Sequence, residues 1–208
     1  MSHACCHHDP EPERGTSPAY RRVLWIALLV NAAMAVIEIT YGWRAGSLSL
    51  WADAVDFVGD AANYAASLAV LSAGLLWRAR VAWAKGWLMA VFGIVVLARA
   101  AWAALHGEPP QPFTMGAVGM LALAANVGVA LMLYAWREGD ANMRAVWLCS
   151  RNDAIGNLAV VAAAGAVALT GQAWPDLVVA VIMAGLALHS SRAVLRQAGQ
   201  EMKTAPAH

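Results

Sequence analysis

Residues Leu48–Leu76 read LSLWADAVDFVGDAANYAASLAVLSAGLL, an apolar run long enough to cross a bilayer that still carries three acids, Asp53, Asp56 and Asp60. About 20 apolar residues make a spanning helix. A carboxylate at mid-bilayer costs a few kcal/mol, so it marks a pathway or a site. Asp56 and Asp60 stand four residues apart and therefore stack on one helix face, one turn from each other. The same spacing recurs in Cys149-x-x-x-Asp153, inside a second apolar stretch. Two such pairs of metal-ligand side chains within spanning helices point to a path for metal ions.

The rest of the chain fits that reading. Of 208 residues, 61% are hydrophobic and 13% charged, a composition that excludes an ordinary soluble domain. Six apolar stretches follow one another: Val23–Trp43, Leu48–Leu76, Val81–Leu105, Phe113–Trp136, Met143–Leu169 and Trp174–Val194. The expected fold is all-α, a six-helix transmembrane bundle. Its second helix is longer than a perpendicular span needs and should tilt or protrude. Basic residues are retained on the cytoplasmic side. Arg14, Arg21 and Arg22 precede helix 1, Arg78, Arg80 and Lys85 join helices 2 and 3, Arg137 and Arg144 join helices 4 and 5, and Arg192, Arg196 and Lys203 follow helix 6. The opposite loops hold Arg44 and little else, which predicts that the N and C termini are both cytoplasmic. Arg99 can snorkel to the headgroups, and Trp43, Trp51, Trp77, Trp83, Trp102, Trp136 and Trp174 near the span ends read as interfacial anchors.

A formal net charge of +1 argues against a nucleic-acid partner. The polar first 20 residues and the long first span do not make a cleavable signal. Three cysteines, two of them adjacent, give no disulfide framework and fit a reduced compartment. Residues 1–20 read as a disordered cytoplasmic tail rich in His and Cys, residues 21–198 as the transmembrane domain, and residues 199–208 as a short cytoplasmic tail. His3, Cys5, Cys6, His7, His8 and Asp9 are dense enough to collect metal loosely, without the C-x₂-C spacing of a structural zinc site.

Depth arithmetic sharpens the site. Asp56 lies nine residues past Ser47 and Asp153 nine past Arg144, each about 14 Å into a core about 30 Å thick. Asp60 and Cys149 come to similar levels in the same way, so antiparallel helices 2 and 5 would close a four-ligand cage of Asp56, Asp60, Cys149 and Asp153. Three carboxylates and a thiolate suit a tetrahedral Zn²⁺ or Cd²⁺ and not an octahedral Mg²⁺. Against this stands the reading of buried Asp as interhelical polar glue and of a lone membrane Cys as an inert small hydrophobe. Asp53 could line the outward path or be a solvated residue at the outer part of helix 2. Glu38, alone in helix 1, could pair with a neighbour or carry protons. Asn31 and Asn126 read as interhelical hydrogen-bond partners, and His106 and His189 as polar surface residues near span ends.

With Asn31, Glu38 and Gly42 in helix 1, GSLSLWADAVDFVGDA at Gly46–Ala61 and NMRAVWLCSRNDAIGN at Asn142–Asn157, the chain resembles the cation diffusion facilitator family of metal/proton antiporters. The resemblance covers roughly Val23–Val194. It implies metal ligation at Asp56, Asp60, Cys149 and Asp153, and efflux of Zn²⁺, with Cd²⁺ as a second ion, by alternating access in exchange for protons. It further implies a homodimer, a place in the bacterial inner (plasma) membrane, no enzyme activity and no prosthetic group. Three departures stand out. Cys149 occupies a position where the family usually has His, little chain follows helix 6 where most members carry a cytoplasmic domain, and the loop between helices 4 and 5 has no His cluster. With a short form of this kind, dimerisation falls to the membrane helices, and helix 3 offers Ala82, Ala84, Gly86, Ala90 and Gly93 for close packing. The alternatives are a membrane metal sensor or scaffold without transport, and a membrane thiol oxidoreductase. The latter would need a Cys pair in an oxidising loop, whereas Cys5 and Cys6 lie in the predicted cytoplasmic tail.

Overall fold

The computed structural model describes residues 18–69, 75–136 and 141–204; the side chains of residues 69, 75–78, 81–82, 85, 136, 141–149, 151–152 and 204 are not among those described. The described residues form α1 (Pro18–Ala45), α2 (Leu48–Ala69), α3 (Leu75–His106), α4 (Pro112–Leu133), α5 (Ala141–Thr170) and α6 (Trp174–Thr204), with a single 3₁₀ turn, Tyr134–Trp136, after α4. There is no strand among them, so the fold is the expected all-α bundle.

Local sequence explains where the helices stop. α1 ends at Gly46, whose φ of +69° is open to glycine and strained for other residues. There Ser47 N–H donates to Gly42 O at 3.0 Å and Gly46 N–H to Trp43 O at 3.4 Å, the paired bonds of a Schellman ending. α5 ends likewise at Gly171, φ +64°, whose N–H donates to Val167 O at 2.8 Å. α4 starts with Pro112 in its first turn, where the missing N–H costs nothing. Three connections meet at one end of the bundle. Gln111 N–H donates to Ala45 O at 2.8 Å, and Ser47 Oγ donates to Asp176 Oδ1 at 2.7 Å, so the α1–α2, α3–α4 and α5–α6 turns are bonded together. This is called the turn end below.

α2 is described as far as Ala69, and Leu75 and Leu76 already belong to α3, so the apolar run Leu48–Leu76 reaches into two helices. The 22 described residues of α2 rise about 33 Å, enough to cross the hydrocarbon core. α1 begins at Pro18 and α6 runs to Thr204, several residues beyond the apolar stretches, since polar helix ends outlast the apolar pattern. Among the described residues, five segments are long and apolar enough to cross a membrane: Pro18–Ala45, Gly86–His106, Pro112–Leu133, Asp153–Thr170 and Trp174–Lys203. The chain is a multi-pass membrane protein. α2 is long enough but is not among the five, because its three Asp spoil its apolarity.

Packing shelters α2. It touches each of the other five helices, while the broadest pairings are α3 with α6, α1 with α2 and α4 with α5. Large exposed apolar side chains occur on α1 (Leu29, Val36), α3 (Val91, Ile94), α4 (Leu131), α5 (Ile155) and α6 (Ile182), as lipid-facing surfaces require, but none of the described residues of α2 is among them. A core of Leu50, Val96, Met115, Val160 and Met183 fills the turn end, and Tyr20, Leu24, Tyr64, Leu68 and Val129 fill the other. α1 approaches α2 so closely that a Cβ on Gly42 would stand 2.5 Å from Trp51 Cδ1. Trp51 stacks on Trp43 at 5.7 Å, so it is a packing residue of this crossing as well as a residue near a span end.

The small residues of α3 are also used inside the protomer. A Cβ on Gly86 would meet Leu195 Cγ at 2.8 Å, and one on Gly93 would meet Leu188 Cγ at 2.9 Å, so the glycine face of α3 holds α6.

Candidate metal site

Helical spacing puts Asp56 and Asp60 one turn apart on α2, and the fold brings α5 against that helix. The carboxyl of Asp153 lies against that of Asp60, with Asp56 next and Asp53 beyond. Asp60 is 9% exposed, and Asp56 and Asp153 are partly buried. The sequence reading paired Asp153 with Asp56 in depth; Asp60 is the α2 carboxyl that Asp153 feels most strongly. Cys149 belongs to α5 one turn before Asp153, but its side chain is outside the described residues. Among the described residues no three His, Cys, Asp or Glu side chains converge tightly enough to hold a metal ion by themselves.

Charge balance around these acids is one-sided. α2, α4, the stretch of α1 from Val23 to Trp43 and the part of α5 beyond Arg151 contain no Lys, Arg or His. Carboxyl groups on α2 and α5 are of the kind that bind a cation or protons.

The weaker candidates resolve differently. Asp53 is 1% exposed, which removes the solvated alternative, and it faces Glu38 of α1, which is fully buried. Neither Glu38 oxygen reaches a hydrogen-bond partner of ordinary geometry, and Asp53 Oδ2 is also unpartnered, so the two acids adjoin without a bond that fixes them. Of the two readings of Glu38, a neighbour is the one the fold supplies. Asn31 does not reach across helices: its Nδ2 donates to Ala27 O of its own helix at 2.8 Å, because the carbonyl one turn back is nearer than any neighbouring helix. Its Oδ1 and that of Asn126 are buried and unpartnered. His106 is exposed and stacked on Trp102 at 4.5 Å, and His189 is exposed, both as expected. His3, Cys5, Cys6, His7 and His8 lie outside the described residues.

Four polar residues escaped the sequence reading. Tyr64 Oη and Ser150 Oγ, 2.7 Å apart and buried, join α2 to α5 one turn beyond Asp60. Asn157, one turn past Asp153, is fully buried with both amide atoms unpartnered. Its spacing of four from Asp153 was legible, but an amide in a spanning helix reads as ordinary helix glue. Asp176, 1% exposed, starts α6 and bonds to the start of α2. An acid just after Pro175 looks like a local helix start, and nothing local encodes its distant partner.

A family model described as the cation efflux transmembrane domain matches residues 24–75 and 81–202. The chain is similar to the zinc transporter ZitB of Pectobacterium atrosepticum, at 29% identity over 94% of this chain and 64% of that protein. It is similar to the zinc transporter ZitB of Escherichia coli K12 at 27% identity, over 97% of this chain and 68% of that protein. It also matches the metal cation efflux system protein CzcD of Cupriavidus metallidurans at 26% identity, over 78% of this chain and 55% of that protein. The chain thus spans between about half and two thirds of the length of these relatives.

Proposed function

The chain belongs to the family of the cation efflux transmembrane domain, and from that membership and the acids on α2 and α5 we propose that it exports a divalent metal cation by alternating access. Zn²⁺ is the first substrate, as the names of the ZitB relatives suggest, and Cd²⁺ the second. The observation that carries the reading is the meeting of Asp153 with Asp60 and Asp56 inside a bundle whose α2 has no basic residue. In this reading Asp56, Asp60 and Asp153 supply carboxylate oxygens and Cys149 a thiolate, a mixed set suited to a tetrahedral ion. Metal binding displaces protons from such ligands, and protons returning to them eject the metal, so that export is coupled to proton entry.

The rest of the assignment follows from the same reading. Both termini face the cytoplasm of a bacterial inner membrane, and the turn end faces away from it. His3, Cys5, Cys6, His7 and His8 gather metal at the entry side, and two copies associate through membrane helices. Because the glycine face of α3 is occupied by α6, that association uses the lipid-facing side of α3, where Trp87, Val91 and Ile94 are exposed.

The test is transport by the purified chain in liposomes holding a Zn²⁺ indicator and a pH dye. Zn²⁺ uptake that accelerates with an opposing proton gradient, together with metal-dependent proton movement, is expected. Tight Zn²⁺ binding without flux would favour a sensor or scaffold instead.

A further inference from the structure

The three hydrogen bonds of Asp176 lie at the one place where the helix bearing the acids could be opened to the turn end. Asp176 Oδ1 accepts from Ser47 Oγ at 2.7 Å and from Ser49 N–H at 3.1 Å, and Oδ2 accepts from Leu48 N–H at 2.8 Å. Ser47 Oγ in turn accepts from Leu50 N–H at 3.3 Å. The first N–H groups of a helix have no partner within it, and an anion there also meets the positive end of the helix dipole. α2 is therefore capped in trans, by a carboxylate from α6 that lies more than 120 residues away in the chain.

Beside this cap a cleft of about 540 Å³ opens at the turn end, walled by Gly46, Leu48, Trp51, Arg99, Trp102 and Gln111. The cleft stops short of the acids. Leu50, Ala52 and Asp53, one turn further along α2, are each no more than 2% exposed. α6 is a firm post for the cap, since its Leu188 and Leu195 fill the glycine positions of α3.

We propose that Asp176 is a positioning residue for metal passage, a latch that holds the first turn of α2 against α6 and so keeps the cleft closed from Asp53 and the acids beyond. Release of its three bonds frees that turn from α6 and joins the cleft to the site. This role deepens the transporter reading and rests on it, but the closed state itself can be measured without any transport.

The experiment uses the full chain with Cys5→Ser and Cys6→Ser, a reporter at Ala52→Cys, and a membrane-impermeant maleimide applied to the face on which Trp174→Cys is labelled. Labelled peptides are identified by mass spectrometry, which separates the reporter from Cys149. With Asp176 intact the reporter should react slowly. In Asp176→Ala it should react at least about tenfold faster, as losing charge-assisted hydrogen bonds shifts a closed-to-open balance. Ser47→Ala, which removes one bond, should give a smaller rise. Zn²⁺ affinity should stay within about threefold of the parent. The maximal transport rate should fall more than the KM changes, a split that mere unfolding does not produce. If Asp176→Ala does not fold, Ser47→Ala decides: faster labelling supports the latch. Unchanged labelling in the folded variants overturns it. A parent that labels slowly and yet moves no metal rejects the transporter reading and leaves the latch standing.

Discussion

Replacing Asp60 by Asn should have two effects of opposite sign, because the same carboxyl repels Asp153 without metal and binds with it when metal is present. Asp60 is 9% exposed and its carboxyl is the one that Asp153 lies against. Asn keeps the shape and removes the charge, so the metal-free protein should be more stable by about 1 kcal/mol, which for a domain of this size raises Tm by roughly 2–4 °C. Metal binding should suffer more. Residues that only support a ligand are worth 10–100-fold in affinity, so a direct ligand should cost about 100-fold or more. Ligand at 100 times Kd stabilises a protein by about 2.7 kcal/mol, or roughly 5–10 °C in Tm; after a 100-fold loss the same concentration equals Kd and leaves about 0.4 kcal/mol, or about 1 °C. Thermal unfolding of the detergent-solubilised protein with and without Zn²⁺ reads both effects. A variant that keeps the full Zn²⁺ shift, or that loses stability without metal, would refute the placement of Asp60 in the site.

Further outcomes follow from other residues. Cys149→His should raise the ratio of Zn²⁺ to Cd²⁺ transport, since imidazole is harder than thiolate, and should move the pH dependence toward acid, since the free imidazole releases its proton near pH 6.5 and the thiol near 8.5; competition assays that leave the ratio unchanged would remove Cys149 from the ligand set. Tyr64→Phe deletes the 2.7 Å bond to Ser150 and should cost about 1 kcal/mol and lower Tm, measured by thermal melting, while leaving Zn²⁺ stoichiometry intact. Gly93→Val places a branched side chain against Leu188 and Ala184 O, which lie 2.9 and 3.4 Å from a Cβ there, and should cost about 1–3 kcal/mol by forcing α3 from α6; a melting temperature equal to the parent would count against that packing.

Composition and the apolar stretches were enough to read an all-α membrane bundle, and the i,i+4 spacing singled out the acids of α2 and α5. What escaped was whatever depends on partners far apart in the chain. That Leu75 and Leu76 belong to α3 hides in an unbroken apolar pattern, since hydropathy reports solvent preference and not which helix a residue joins. Asp53 could not be separated from a solvated residue because its burial is conferred by α1, through Glu38. The α3 small residues were read as a face for packing between copies, whereas Gly86 and Gly93 are packed within the protomer against Leu195 and Leu188 of α6. Asn31 turned to its own helix because a carbonyl one turn back is always within reach of a short amide.

The acids also explain the architecture around them. A helix with three carboxyls cannot face lipid at acceptable cost, so it must be wrapped by helices that can. α2 is wrapped: it contacts every other helix, while the remaining five have spans apolar enough to meet the bilayer themselves. Wrapping makes the site coupled as well as sheltered, since α2 cannot shift without disturbing Ser150 on α5, Gly42 on α1 or Asp176 on α6. Of these contacts, the Gly42 crossing is packing within the broad α1–α2 pair, which lets the two helices move together. The bonds to Ser150 and Asp176 instead join α2 to helices outside that pair, one beyond Asp60 and the other at the turn end. Alternating access needs two such closures on opposite sides of the acids, each released while the other holds. Breaking both at once, with Tyr64→Phe and Asp176→Ala, should therefore let Zn²⁺ leak down its gradient without proton exchange, whereas either change alone should slow transport and keep the coupling. A double variant that still couples metal to protons, measured in the same liposomes, would show that closure is made elsewhere.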